Sequence, residues 1–479
     1  MMTRAWMLPL LLALGCTPVD VPIDDVDWDA PDPIDVTGTL FTLENGLFAR
    51  VEDDETDPFF LLGSNMGVGI PGTQPGELAL SYDRLIHWFG MMQDMGARAV
   101  RIYTLHHPHF YQAVQDYNTE HRDNPIYIIH GVWLHEEIEE DLMGWSDVFD
   151  ESIRENVDAI HGSADIGHRF GEGYGEYRHD ISPWVIGWII GREIFPTEVT
   201  HLNDHHPDLT SYDGEYLPLP EGTPTEVWAT ERLDYLVQYE WENYGATRPI
   251  SFSSWPTLDP LDHPTEHPES YEDQEAIDLA NLDLHDAPGG YFANFHAYPY
   301  YPDWMNEDPK WSDVHDHVGP NPYLGYLQHL RDHYWPHSVL VGEYGVPTSW
   351  GNAHYALSGM NHGGHDETMQ GHHGARMTQN IYDAGLAGGF WFAWMDECGS
   401  RPGSPTRSSS RCPGAASGPT TRAPSRTSAS SPSTRLRPTS RSGRNWWGRG
   451  PSAPCAGAGM SAASTCRSTR PRPWPTATG

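Results

Sequence analysis

Between residues 59 and 395 the chain repeats one pattern: a short apolar run, a break, then a longer stretch. The runs are Phe59–Met66, Ala97–Thr104, Ile126–Trp133, Trp184–Gly191, Pro249–Trp255, Tyr291–Tyr298, Ser338–Glu343 and Gly389–Met395. Helical segments are expected at about 80–95, 148–170, 225–244, 322–335 and 367–385. In the first of these, Leu80, Leu85, Ile86, Phe89, Met92 and Met95 recur at helical intervals. Strands that alternate with helices predict a parallel sheet. Eight of them, allowing for insertions, predict an α/β protein with a (β/α)8 TIM barrel over residues 37–398, led in by a short β-rich stretch at 37–58. A doubly wound open sheet is the structural competitor. No Gly-rich dinucleotide fingerprint follows the first run to support it.

Two of the runs lead into glutamate. Glu193 closes the stretch Trp184 to Glu193, two residues past the end of the fourth run, and Glu343 closes the seventh. Strand ends of such a barrel face its catalytic mouth. Two carboxyl groups facing each other there are the machinery of glycosidic bond cleavage, one to protonate the leaving oxygen and one to attack the anomeric carbon. For a lone strand-end glutamate, a structural ion pair or a loop carboxylate is the default.

The motifs around these residues occur in a joint order. Val341-Gly342-Glu343-Tyr344-Gly345 ends strand seven, Phe295-His296-Ala297-Tyr298-Pro299 ends strand six, and Val100-Arg101-Ile102-Tyr103 lies on strand two. In this order the chain resembles clan A glycoside hydrolases, and within them the barrel domain of family 2, over about residues 59–397. The resemblance implies a retaining O-glycosidase with Glu193 as acid/base and Glu343 as nucleophile. It further implies that Arg101 and Tyr298 orient Glu343, and that Trp391 or Trp394 on strand eight is a sugar platform. The clan has Asn before the acid/base; here that position is Arg192, which offers donors and no acceptor. That substitution admits a different or anionic substrate, another contact at the subsite, or loss of hydrolysis.

Other substrate-binding candidates are His130 on strand three, His296 on strand six and Trp255 after strand five; core packing accounts for each as readily. Asn65, at the end of strand one, is a weaker candidate. The histidine groups His201, His205, His206 and His362, His365, His372, His373 could hold a metal, but match no HExxH-type spacing. Neither a metal nor an organic cofactor is expected.

Composition narrows the partners. All 67 Asp and Glu precede residue 399, against 15 of the 28 Lys and Arg. So acidic a body should repel nucleic acid and anionic lipid surfaces, and is compatible with an oligo- or polysaccharide. Solubility or salt tolerance accounts for the charge equally well. The 19 Trp and 23 Tyr suit a sugar-binding cleft or a large aromatic core.

The termini differ in character. Met1 to Arg4, an apolar stretch from Ala5 to Leu14 and then Gly15-Cys16 read as a secretory signal, 1–16. Ala13-Leu14-Gly15-Cys16 resembles the bacterial lipobox. Cys16 would then carry the lipid that anchors an exported protein to the cell envelope, at the outer membrane since Thr17 and not Asp follows it; ordinary secretion is the alternative. Residues 17–36, rich in Asp and Pro, read as a disordered tether. No cysteine lies between residues 17 and 397, so the body has no disulfide framework. Residues 399–479 are Arg, Ser and Pro-rich without hydrophobic period. They read as a disordered basic tail or, given the abrupt switch, as a shifted reading frame of a GC-rich gene.

The expected function is therefore a retaining glycoside hydrolase. The alternatives are a transglycosylase on the same scaffold, a non-catalytic surface glycan-binding barrel, and a metal-dependent hydrolase built on the histidines.

Overall fold

The computed structural model describes residues 38–395, apart from 53–54, 72, 74–76, 136–140, 267–273 and 285–286. The signal with Cys16, the tether 17–36 and the tail 399–479 lie outside the described residues.

Eight strands form the barrel: β1 Leu61–Met66, β2 Ala99–Ile102, β3 Tyr127–Val132, β4 Val185–Ile190, β5 Ile250–Ser254, β6 Phe292–His296, β7 Ser338–Tyr344 and β8 Gly388–Trp391. Each pairs in parallel with the next, and β8 pairs with β1, so the sheet closes. This is the (β/α)8 barrel expected, and every predicted run overlaps one strand. The helices are α1 Tyr82–Met95, α2 Pro108–Glu120, α3 Ser146–Ile160, α4 Pro196–His205, α5 Pro224–Tyr244, α6 Pro322–Tyr334 and α7 Glu367–Asp383.

Two helices were not legible in the sequence. In α2 the buried face includes Gln115 and Asn118, which interrupt the apolar stripe. Asn118 earns its place by bonding both polar groups of Ile126, donating to the carbonyl at 2.9 Å and accepting from the N–H at 2.7 Å. The ten-residue α4 is short and polar. The helix expected at 148–170 instead stops at Ile160. Beyond it the chain turns through Gly162 (φ 67°) into a small antiparallel pair, Asp165–Ile166 with Gly175–Glu176.

Helix α5 shows how locally the chain sets its own boundaries. Thr223 accepts from the Glu226 N–H at 3.3 Å, and Glu226 accepts from the Thr223 N–H at 2.7 Å, a reciprocal cap ahead of Pro224. Gly245, at φ 62°, ends the helix in the left-handed region.

The barrel interior is apolar at its N-terminal end. Leu61, Ala99, Ile129, Ile186, Phe292, Leu340 and Phe390 point inward and meet Phe41 and Phe48 from a three-stranded antiparallel sheet, Phe41–Glu44, Leu47–Glu52 and Glu55–Phe59. Phe48 packs edge-on against Phe292 at 5.1 Å. The β-rich lead-in is thus a plug beneath the barrel, leaving the opposite end for chemistry. Near the plug, the buried Arg248 before β5 donates from Nε to Glu240 of α5 at 2.9 Å. Glu240 also takes the Trp188 indole N–H at 3.1 Å and faces His161 Nε2 at 3.0 Å.

Candidate active site

Inward positions on successive strands carry the polar side chains. On β2, Ala99 faces the interior core, so Arg101 and then Tyr103 follow on the same face by the two-residue period. On β1, Asn65 follows Leu61 and Gly63 in the same way.

Strand β7 breaks that period. Leu340 points inward and Val341 outward, so regular alternation would turn Glu343 toward the helices. The register shows one extra residue in β7 against both neighbours: Val341 and Glu343 oppose Phe295 and His296, while Val341 and Tyr344 oppose Gly389 and Trp391. This bulge re-aims Glu343 into the mouth. The Gly342 carbonyl accepts there from Asn65 Nδ2 at 2.9 Å and Arg101 at 3.0 Å. Glycine is required beneath it, because a Cβ would lie 2.0 Å from Asn294 Oδ1.

Glu343 is buried and held on both oxygens. Tyr103 donates to Oε1 and Tyr298 to Oε2, each at 2.7 Å, and Arg101 stands 3.9 Å from Oε1. Burial first, then the neighbouring Glu343, pushes the Tyr298 hydroxyl well above its ordinary range, so it remains a donor. Across the mouth, Glu193 accepts from His296 Nδ1 at 2.8 Å. The tautomer follows from Arg101, which donates to Nε2 at 2.9 Å and leaves the ring proton on Nδ1. One oxygen each of Glu193 and Glu343 and a ring nitrogen of His296 lie within 4.8 Å of one another. Among the described residues this is the one cluster of three or more potential metal ligands. Neither histidine group singled out in the sequence forms one.

The structure brings together Glu193, Glu343, Arg101, His296 and Tyr298, and corrects five other assignments. His130 lies between inward Ile129 and Gly131 and so points outward, where Nε2 accepts from Tyr111 of α2 at 2.8 Å. Arg192 is buried against Glu198 of α4 in a two-point ion pair (3.0 and 2.7 Å) and donates to the His135 carbonyl at 3.2 Å. It ties the loop after β4 to the next helix and does not reach the mouth. Trp255 is buried, with its indole N–H on the Ile194 carbonyl at 2.9 Å, so it supports the Glu193 loop from behind. Trp391 packs outward beside Gly374 of α7, where a Cβ would come within 2.9 Å of its ring. Asn65 spends its amide on backbone carbonyls. Trp394 is half-buried at the rim beside Trp88, 6.4 Å between rings.

Sequence reasoning missed three groups. Tyr103 was signalled by its two-residue spacing from Arg101. Ser253 of β5 sits 3.3 Å from His296 Nε2. Phe392, one residue beyond Trp391 and hence on the opposite face, places its ring 6.5 Å from that of Tyr103.

His296 is held neutral. Burial, with Arg101 adding to it and Glu343 opposing, lowers its pKa to about 3. Burial likewise lowers His106 and His130 to about 3. In the unfolded chain these rings take up protons below about pH 6.5, and in the folded protein only near 3. Their contribution to stability is complete above pH 6.5 and is lost as pH falls toward 3. We expect the His296 ring to show no titration between pH 5 and 8 by NMR, and the denaturation midpoint to fall steadily below pH 6.5. A His296 titration near 6.5 would contradict the tautomer assigned above.

No protein family and no curated protein matches the sequence. Among solved structures, Bacteroides uniformis beta-glucuronidase 2 is similar with a TM-score of 0.40 and 14% identity, over 74% of this chain and 32% of that one. The GH2 beta-galacturonidase from Eisenbergiella tayi gives 0.40 and 14%, over 72% and 46%. An endo-laminarinase from Formosa gives 0.43 and 15%, over 70% and 78%. The chain spans less than half the length of either uronidase.

Proposed function

We propose that the protein is a retaining glycoside hydrolase. The observation that carries this reading is the placement of the Glu193 and Glu343 oxygens within 4.8 Å at the mouth of the barrel. Retaining pairs stand roughly 5–5.5 Å apart, whereas inverting pairs leave about 6.5–9.5 Å for a water. Glu343 attacks the anomeric carbon while the glycosidic C–O bond breaks. The leaving oxygen takes a proton from Glu193, which acts as the acid and is oriented by His296 at its Oε1. In the second half, water gives its proton to Glu193 and its oxygen to the anomeric carbon, and Glu343 departs as carboxylate. Tyr103, Tyr298 and Arg101 fix the nucleophile's orientation throughout.

Intact mass after incubation with a panel of 2-deoxy-2-fluoro glycosyl fluorides tests the proposal. One adduct per chain, mapping to Glu343, is expected. Folded protein that takes no adduct from any sugar and hydrolyses no glycoside would end the reading in favour of glycan binding alone.

The same three side chains support a second reading, a metal-dependent hydrolase, since two carboxylates and an imidazole converge. The Arg101 guanidinium 2.9 Å behind the His296 ring opposes a dication there. A chelator should leave the rate unchanged; loss restored by one divalent metal would favour the second reading. We further propose export with a lipid on Cys16, to be checked by membrane association that disappears in Cys16→Ser.

A further inference from the structure

Beyond β7 the chain does not pass directly to α7. Residues 349–364 fold into a finger: Gly364 N–H donates to the Ser349 carbonyl at 2.8 Å, Ala353 to His362 at 3.0 Å and His362 to His354 at 2.9 Å. Its flanks are pinned to the loop after β6. His354 Nδ1 bonds Asp303 at 3.1 Å, and Leu357 N–H donates to Asn306 at 3.0 Å. The His362 ring lies parallel to Tyr300 at 4.6 Å, and Arg376 of α7 donates to the Ser358 carbonyl at 2.6 Å. Met360, within the finger, is fully buried. So many anchors make the finger a fixed part of the rim.

Yet this anchored element keeps its large apolar groups in solvent. Trp350 is fully exposed, Tyr355 is 75% exposed and Leu357 63%. Large aromatics left in solvent on one anchored segment mark a surface that meets a partner. Their position says which. Trp350 is the seventh residue after Glu343, so the two Cα atoms are at most about 25 Å apart. Tyr300, under the finger, is two residues beyond the Tyr298 that holds Glu343. The finger thus follows directly on the strand end that carries Glu343 and stacks on the loop that follows Tyr298. Indole and phenol rings offer flat apolar faces with a polar edge, the chemistry that takes a pyranose ring.

Charge decides between kinds of chain. Asp303, Glu307, Asp366 and Glu367 are exposed on the segments flanking the finger. The cations there are already matched, Lys310 with Asp308 at 3.2 Å and Arg376 with Asp316 at 2.6 Å. A polyuronate or an anionic lipid surface would be repelled.

We propose that residues 349–364 form an outer subsite that holds an uncharged polysaccharide through Trp350 and Tyr355. Placing a glycan at this rim rests on the hydrolase reading, but binding can be measured without turnover.

The test is retardation in native gels cast with soluble neutral polysaccharides (laminarin, arabinoxylan, galactomannan, hydroxyethylcellulose) or with polygalacturonate, read beside hydrolysis of aryl glycosides. At least one neutral polymer should slow the wild type, and slow Glu343→Gln equally. Trp350→Ala and Tyr355→Ala should each lose at least about tenfold in affinity for that polymer while aryl-glycoside hydrolysis holds within about twofold. Trp350 is fully exposed, so its removal should leave the thermal midpoint in place. Retardation of Trp350→Ala equal to wild type overturns the proposal. So does retardation by polygalacturonate alone, by no polymer at all, or a Trp350-dependent dimer in sedimentation. Absence of aryl-glycoside hydrolysis with polymer binding that depends on Trp350 would sink the hydrolase reading and keep the subsite.

Discussion

Glu343→Gln should lower kcat by at least about 10⁴-fold, the scale on which removal of a catalytic nucleophile is felt. The amide nitrogen has no nucleophilic lone pair to form the ester with the anomeric carbon, so the first displacement has no substitute route. The fold should survive the change. Gln is isosteric with Glu, and the Tyr103 and Tyr298 hydroxyls, now 2.7 Å from the two oxygens, can donate to the amide oxygen or accept from its NH₂. Arg101 loses a partner 3.9 Å away but keeps the Gly342 carbonyl at 3.0 Å. Glycoside turnover and circular dichroism on the same preparation decide the matter. Activity within tenfold of wild type, on protein with an unchanged spectrum, would remove Glu343 from the mechanism and return weight to the metal reading.

The largest loss of stability is expected far from the mouth, at Glu240→Ala. Its carboxylate is fully buried and is the counter-charge of Arg248, which is buried as well. Deleting it strands a guanidinium in the interior and leaves the Trp188 indole N–H without its acceptor. Breaking a buried pair in this way costs about 3–5 kcal/mol. Exchange of both partners for apolar residues would cost less, since no charge is stranded. Burial by itself would raise the Glu240 carboxyl, but Arg248 and His161 outweigh it and hold it at about 2. The folded pKa is thus below the unfolded one. The pair's contribution is complete above about pH 4.5, the ordinary carboxyl value, and is lost as pH falls toward 2. Urea midpoints of wild type and Glu240→Ala should differ most at neutral pH and converge in strong acid. A gap that does not narrow with acid would show that Glu240 stabilises by packing instead of charge.

How much of this was written in the chain depends on the kind of signal. Apolar runs and the breaks between them survive in sequence, so the eight strands and their closure into a barrel could be read there. So could the placing of Glu193 and Glu343 at the ends of the fourth and seventh. Arg101, His296 and Tyr298 were legible because their motifs keep a fixed order along the chain.

The direction in which a side chain points was harder to read. Parallel strands buried on both faces are apolar throughout, which erases the two-residue alternation that separates inside from outside. His130 and Trp391 therefore looked like mouth residues and proved to face the helices, while Tyr103 and Phe392 went unnoticed on the inner face. Arg192 looked like a substrate contact because nothing in the linear chain announces that Glu198, six residues on, takes its guanidinium. Sequence alone thus placed Glu193, Glu343, Arg101, His296 and Tyr298 on or just after their strands. Tertiary structure alone decided that Glu343 faces the mouth, because one extra residue in β7, stabilised by the bonds of Arg101 and Asn65 to the Gly342 carbonyl, reverses the parity that local spacing would impose.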